Sequence, residues 1–259
     1  MQTPANGFKH ALRERRLQFG LWVGLANAYG AEICAGAGFD WLVLDAEHGP
    51  NTVQTLLAQL QAVAPYPTHA VVRAVNGDPA HLKQLLDIGA QTVLVPMVET
   101  AEQARRLVSA VRHPPEGIRG VSTYLARAAR WGRYEDYLQR ANDEVCLLVQ
   151  IESAAALAEV AAIARVDGVD GLLIGPSDLA ATLGHRGQSS HPAVREAIDG
   201  ALAEILAAGK PAGILSGDEK LARKFAAAGF RFVAVGVDAA LLARATSELA
   251  AKFAAVPRR

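Results

Sequence analysis

The sequence predicts an α/β protein, a (β/α)8 TIM barrel built from one domain over residues 1–259. Three observations carry that prediction. One phrase recurs: a helix ending in small residues, a glycine, then an apolar strand. It appears as AGAGFDWLVLD, LDIGAQTVLVP, VDGVDGLLIGP and AAAGFRFVAVG. Glycine just past a helix end supplies a left-handed cap, and unbroken apolar runs suit strands buried on both faces. Strands of this kind alternate with amphipathic helical segments, which implies a parallel sheet with helical crossovers. Eight such units in 259 residues match the roughly 250 residues that a barrel uses. Nothing between them reads as an interdomain linker.

Taken in order, the first strand falls near 19–25 and the second near 39–47. The second begins as the apolar run WLVL and ends in Asp45, Glu47 and His48, before the turn residues Gly49 and Pro50. NTVQTLLAQLQAVA supplies the helix that follows. The third strand, 69–75, reads HAVVRAV, with Arg73 inside an otherwise apolar run, and DPAHLKQLLDIG forms its helix. The fourth lies at 91–98. Behind it comes HPPEGIRGVSTYLARAARWGRYEDY, too rich in arginine and aromatic residues for a flexible spacer and expected as an elaborated loop near the site. The fifth strand, 144–152, ends in Gln150 and Glu152, and the sixth, 169–176, runs into Ser177 and Asp178. The seventh and eighth lie at 211–216 and 230–238.

Composition narrows the function classes. With 51% hydrophobic residues and a formal net charge of zero, the chain has ample core and no basic excess for nucleic acid or anionic membranes. No apolar run approaches the ~20 residues of a membrane helix. The N-terminus, MQTPANGFKHALRERR, lacks the apolar segment of a secretory signal. Cys34 and Cys146 have no paired spacing and read as reduced core residues. A cytoplasmic protein acting on a small molecule is expected.

Barrel active sites lie at the C-terminal ends of the strands. Ionisable groups there are costly to desolvate unless something uses them. Glu152 and Asp178 bring two carboxylates together from adjacent strands, a donor set suited to Mg²⁺ or Mn²⁺ with positions left for water and substrate oxygens. Spacing alone also allows each to pair with an arginine, or Asp178 to cap the helix that begins LAATLG. Arg73 offers a planar fork for a carboxylate or an enolate oxygen, or equally a structural salt bridge with a strand-end acid. His48 is suited to general-base work. His10, His69, His81, His113, His185 and His191 read as surface residues, and only position and company set His48 apart. The six lysines, Lys9, Lys83, Lys210, Lys220, Lys224 and Lys252, all fall away from the inward strand positions where an imine would form. Carbonyl chemistry here would need a metal.

Together DAEHGPN, VVRAVNGD, LLDIGAQTVLVPMVET, GIRGVSTYLARAARWG, LLVQIES and DGLLIGPSDLA resemble the metal-dependent (class II) pyruvate aldolases, in order, over about residues 8–253. The resemblance implies a carbon–carbon lyase of aromatic-compound catabolism. Such an enzyme cleaves 4-hydroxy-2-oxo acids, such as 4-hydroxy-2-oxoheptanedioate, reversibly to pyruvate and an aldehyde such as succinic semialdehyde. Mg²⁺, Mn²⁺ or Co²⁺ would be the cofactor. It further implies that His48 is the base, oriented by Asp45, that Arg73 stabilises the enolate, and that Glu152 and Asp178 hold the metal. Gln150 and the backbone N–H groups of Ser177 and Asp178 would bind pyruvate. Trp22, Val121 and Leu215 would lie near the aldehyde end of the pocket. Ala46 stands where the family commonly has glycine, and Ser177 where it often has alanine. Glu47 acquires no role.

Asp87 is the odd member. It ends the helix after the third strand, on the far side from its own His48, yet matches a carboxylate that raises the basicity of the catalytic histidine. Both hold only if it reaches a neighbouring subunit, in a homohexamer arranged as a trimer of dimers. Citrate lyase β-subunit-like CoA-ester lyases share the fold and carboxylate pair, but no basic cluster suggests a CoA surface. A phosphosugar isomerase would need more glycine after the last two strands than ILSGDEK and AVGVDAA provide. A barrel kept only as a binding scaffold would not need the base, arginine and carboxylate pair.

Overall fold

The structure of the chain, a computed structural model, describes residues 1–254; residues 255–259, the end of the expected domain, lie outside the described residues. Eight parallel strands close into a barrel in sequence order. They are β1 (Gln18–Val23), β2 (Trp41–Asp45), β3 (His69–Arg73), β4 (Thr92–Val95), β5 (Cys146–Ile151), β6 (Gly171–Ile174), β7 (Ala212–Leu215) and β8 (Phe232–Val237). Each is shorter than the apolar run suggested, and most are trimmed at both ends, where the chain leaves the ladder for its turns.

The helices are α1 (Gly7–Arg13), α2 (Ala28–Ala35), α3 (Val53–Val63), α4 (Pro79–Asp87), α5 (Ala101–Val111), α6 (Tyr137–Glu144), α7 (Ala154–Ala164), α8 (Pro176–Thr182), α9 (Pro192–Ala207), α10 (Glu219–Ala228) and α11 (Asp238–Ala254). Several start on a side chain that satisfies an otherwise unpaired N–H: Asn27, Thr52, Asp78, Thr100, Ser153 and Asp218 each accept from the residue three positions on. Beyond Asp238 the apolar residues Leu241, Leu242, Leu249 and Phe253 of α11 are exposed. The recurring glycines Gly38, Gly89, Gly168 and Gly229 all have positive φ, as caps before the next strand.

The core has two shells. One lies between strands and helices. The other fills the barrel and includes Phe8 and Leu12 of α1, so this first helix plugs the barrel floor. Phe8 meets Trp41 and Phe232, the first residues of β2 and β8, with ring centroids 5.7–5.9 Å apart. Two strand glycines make room for them. A Cβ on Gly20 would sit 2.3 Å from the Trp41 ring, and one on Gly213 would sit 2.0 Å from that of Phe232.

The arginine- and aromatic-rich segment before β5 does not lie near the C-terminal strand ends, contrary to expectation. Thr100 caps α5 a few residues after β4, so the chain first crosses back along the barrel. Residues 112–136 then run at the N-terminal end. There Arg127 Nη1 donates to the Ile88 carbonyl at 2.9 Å and Arg119 Nη2 to Asp87 Oδ1 at 2.8 Å. The arginines hold this segment against the ends of α3 and α4.

Candidate active site

Asp45 and Arg73 are register partners at the ends of β2 and β3, and both are buried. Arg73 Nε donates to Asp45 Oδ1 at 2.8 Å and Nη2 to Oδ2 at 2.5 Å. Trp22 Nε1 donates to the same carboxylate at 3.1 Å, and the guanidinium lies 4.8 Å over the Trp22 ring. Burial pushes the Asp45 carboxyl up, but the hydrogen bonds and charge of Arg73, with the indole N–H, outweigh it and hold Asp45 below its ordinary value. Trp22 is therefore a buried wall beneath Arg73. The strand-end salt bridge that the sequence left open for Arg73 is present.

Glu47, which has no role in the family resemblance, joins this group. Its Oε2 lies 2.6 Å from Arg73 Nη1, though without hydrogen-bond alignment. Burial raises the Glu47 carboxyl; Arg73 and His48 oppose that, and Asp45 and Asp178 add to it. His48 is exposed at the rim. Asp45 Oδ1 accepts from the backbone N–H of Glu47 at 3.0 Å and of His48 at 3.4 Å, and Asn51 Nδ2 donates to the Asp45 carbonyl at 2.7 Å. Asp45 thus orders the turn that carries His48.

Glu152 directly follows β5 and is 2% exposed. Its Oε1 accepts from the Met97 N–H at 2.7 Å, and Gln150 Nε2 donates to Oε2. Met97 adopts φ +53 just after β4. Burial raises the Glu152 carboxyl to about 7; the Met97 N–H and Arg73 oppose this, while Glu47 and Asp178 reinforce it. Gly175 lets β6 pass close by, since a Cβ there would lie 2.7 Å from Glu152 Oε2. Gln150 Oε1 is buried without a partner.

Asp178 does not cap α8. Gly175 holds that position, Pro176 opens the helix, and Asp178 lies in the first turn. Ser177 and Asp178 are exposed at the mouth, and no side chain caps the N–H groups of this turn. Leu215, at the end of β7, is half-buried against the inner core.

No three His, Cys, Asp or Glu among the described residues would hold a metal alone. Two carboxylates suffice for a hard cation that keeps water and substrate oxygens as further ligands. The electrostatics fit one. Glu152 is buried beside negative neighbours, and the positive charge within reach, Arg73, is committed to Asp45 and Glu47.

Two of the expected residues lie elsewhere. Asp87 ends α4, half-buried and paired with Arg119, and Val121 is exposed in the segment at the same N-terminal end. Neither is near His48 of the same chain.

The profile of the HpcH/HpaI aldolase/citrate lyase family matches residues 18–245. A 4-hydroxy-2-oxo-heptane-1,7-dioate aldolase of Salmonella arizonae is 58% identical over 250 residues, covering 96% of this chain and 95% of that protein. An HpcH/HpaI aldolase/citrate lyase family protein of Burkholderia cenocepacia superposes with a TM-score of 0.93 at 41% identity, covering 96% and 99% of the two chains. For an HpcH/HpaI aldolase of Desulfitobacterium hafniense the values are 0.90 and 28%, with 98% of each chain covered. Profile, sequence and fold agree over nearly the whole length, and the chain belongs to the HpcH/HpaI aldolase/citrate lyase family.

Proposed function

We propose that the chain is a divalent-metal-dependent aldolase. It cleaves 4-hydroxy-2-oxo acids, 4-hydroxy-2-oxoheptane-1,7-dioate among them, reversibly to pyruvate and an aldehyde, which is succinic semialdehyde for that substrate. The observation that carries this reading is Glu152, a buried carboxylate among other acids, in a chain 58% identical to an aldolase of that name. Glu152 and Asp178 would hold Mg²⁺, Mn²⁺ or Co²⁺, which supplies a Lewis acid for the 2-oxo acid end of the substrate.

The chain's own residues account for the rest. The N–H groups of Ser177 and Asp178 and the amide of Gln150 bind and orient the carboxylate end. His48, at the rim, removes the proton from the 4-hydroxyl. Its oxygen becomes the aldehyde carbonyl as the C3–C4 bond breaks, and the bonding pair passes to the enolate of pyruvate. Arg73, fixed by Asp45 and Trp22, presents a guanidinium edge to the enolate oxygen, so no reorganisation is needed as charge develops. A proton returned to C3 releases pyruvate. Leu215 lines the aldehyde side.

The test is pyruvate release with and without metal. Chelator should abolish cleavage, and Mg²⁺, Mn²⁺ or Co²⁺ should restore it. Inactivation by borohydride with pyruvate, undisturbed by chelator, would mean imine chemistry and sink the reading.

Asp87 and Val121 lie at the wrong end for their own site. In this reading they complete a neighbour's, in a cytoplasmic homohexamer built as a trimer of dimers. Asp87→Asn should then lower the apparent pKa of the base in kcat/KM and leave metal affinity unchanged. A fully active monomer, by light scattering at assay concentration, would overturn the shared site.

A further inference from the structure

At the end of the barrel opposite Glu152, a cavity of about 330 Å³ lies between the first residues of β3 and β4 and the segment that precedes α6. Three arginines line it, Arg119, Arg127 and Arg130. Arg127 begins a 3-10 helix (Arg127–Ala129) and Arg130 caps it. Arg130 itself is left-handed, at φ 49 and ψ 42, and lies close enough for its charge to bear on Arg127. Among the described residues no acid pairs with either: Asp87 is taken by Arg119, and Glu144 by Arg140 and His10. Arg127 instead donates to the carbonyls of Ile88 and Leu60.

A second observation points to a missing ligand. Arg119 is 4% exposed, and its Nε has no hydrogen-bond partner, although Nη2 reaches Asp87 and the Tyr137 hydroxyl. Thr68, 7% exposed on the strand side of the cavity, also has an unpartnered hydroxyl. Buried donors without partners are rare in folded proteins. Water could satisfy both groups, but it would leave the like charges of Arg127 and Arg130 uncompensated. That repulsion joins burial in lowering the Arg127 guanidinium from its ordinary value. A ligand that accepts hydrogen bonds and carries negative charge answers both deficits, and guanidinium forks match carboxylate and phosphate oxygens.

We infer that this cavity is a second binding site, for a small anion bearing carboxylate or phosphate groups, held by Arg119 Nε, the Thr68 hydroxyl and the Arg127–Arg130 pair. Its volume is within the range of small-molecule pockets.

Calorimetry tests this on the metal-loaded enzyme with saturating pyruvate in the aldol site, titrated separately with inorganic phosphate and with succinate. The expected result is one anion site per chain, with the tighter probe identifying the head group. Arg130→Gln and the near-isosteric Thr68→Val should each weaken binding about ten-fold or more, as loss of a charge-assisted or buried hydrogen bond predicts. Both should leave kcat for cleavage unchanged, and Arg73→Lys should leave anion binding unchanged. The inference is overturned if neither probe binds at millimolar concentration. It is equally overturned if binding survives both cavity substitutions, or is lost in Arg73→Lys alone.

Discussion

Glu144 and Glu152 bracket one strand, β5, and both are almost wholly buried, at 4% and 2% exposure. Their carboxyl groups respond in opposite ways. At the floor, burial alone would raise Glu144, but the Asn6 N–H at 2.7 Å, Arg140 and His10 outweigh it and hold the group below its ordinary value. Its surroundings are equally complete. Asn6 Nδ2 donates to Thr92 Oγ1 and the Glu144 carbonyl, and buried Lys9 donates to the Val145 carbonyl at 2.6 Å. At the mouth, Glu152 is pushed up to about 7. The comparison separates burial from function. A buried charge with a full set of partners holds the fold together, whereas one left beside like charges is held for something that arrives from outside.

Removing each charge in turn separates the two glutamates. Glu152→Gln keeps the shape and relieves the repulsion, so cleavage should fall on the order of 10³-fold, with an unchanged or raised urea midpoint. A variant that unfolds easily yet keeps its activity would show that Glu152 belongs with Glu144 as a structural group.

Arg73 lies between the two cases, paired with Asp45 through one edge of its guanidinium and yet at the mouth. Arg73→Lys cannot reproduce the fork on Asp45, and kcat should drop by about 10²-fold. A raised KM with unchanged kcat would reduce its part to ground-state binding.

The smallest effect on catalysis is expected at the floor. Glu144→Gln should leave kcat unchanged and lower stability by about 2 kcal/mol, the scale of a hydrogen bond to a charged group. The pH dependence has a definite sign. Because the folded-state pKa of Glu144 lies below the ordinary value, its contribution is complete above the ordinary glutamate range and is lost as pH falls through the folded value. Urea unfolding at a series of pH values should therefore show wild type and variant converging in acid. A constant gap would mean that packing, not charge, makes the difference.

Much of the fold was legible because a strand buried on both faces leaves an unbroken apolar run, and Gly38, Gly89, Gly168 and Gly229 mark the helix ends before four of them. Asp45, Arg73 and Glu152 were legible as candidates because each interrupts or closes such a run with a charge. What remained hidden depends on which strand lies beside which. Glu47 meets Arg73 only through the pairing of β2 with β3, and the Met97 N–H reaches Glu152 only through a left-handed residue beyond β4. The position of segment 112–136 is hidden for a related reason. Its composition signalled that it docks against something, but composition carries no direction, and the intervening α5 reverses the end of the barrel at which it arrives.

The plug formed by Phe8, Trp41 and Phe232 makes the barrel a blind well. Traffic therefore has a single entrance, and depth becomes order in time. Whatever is bound beside Gln150 and Glu152 enters first and departs last. The fragment nearer the rim must clear the opening before its partner can follow. A sealed floor thus turns a spatial arrangement into a kinetic sequence, with the aldehyde released ahead of pyruvate in the proposed cleavage and the keto acid bound first when the reaction runs in reverse.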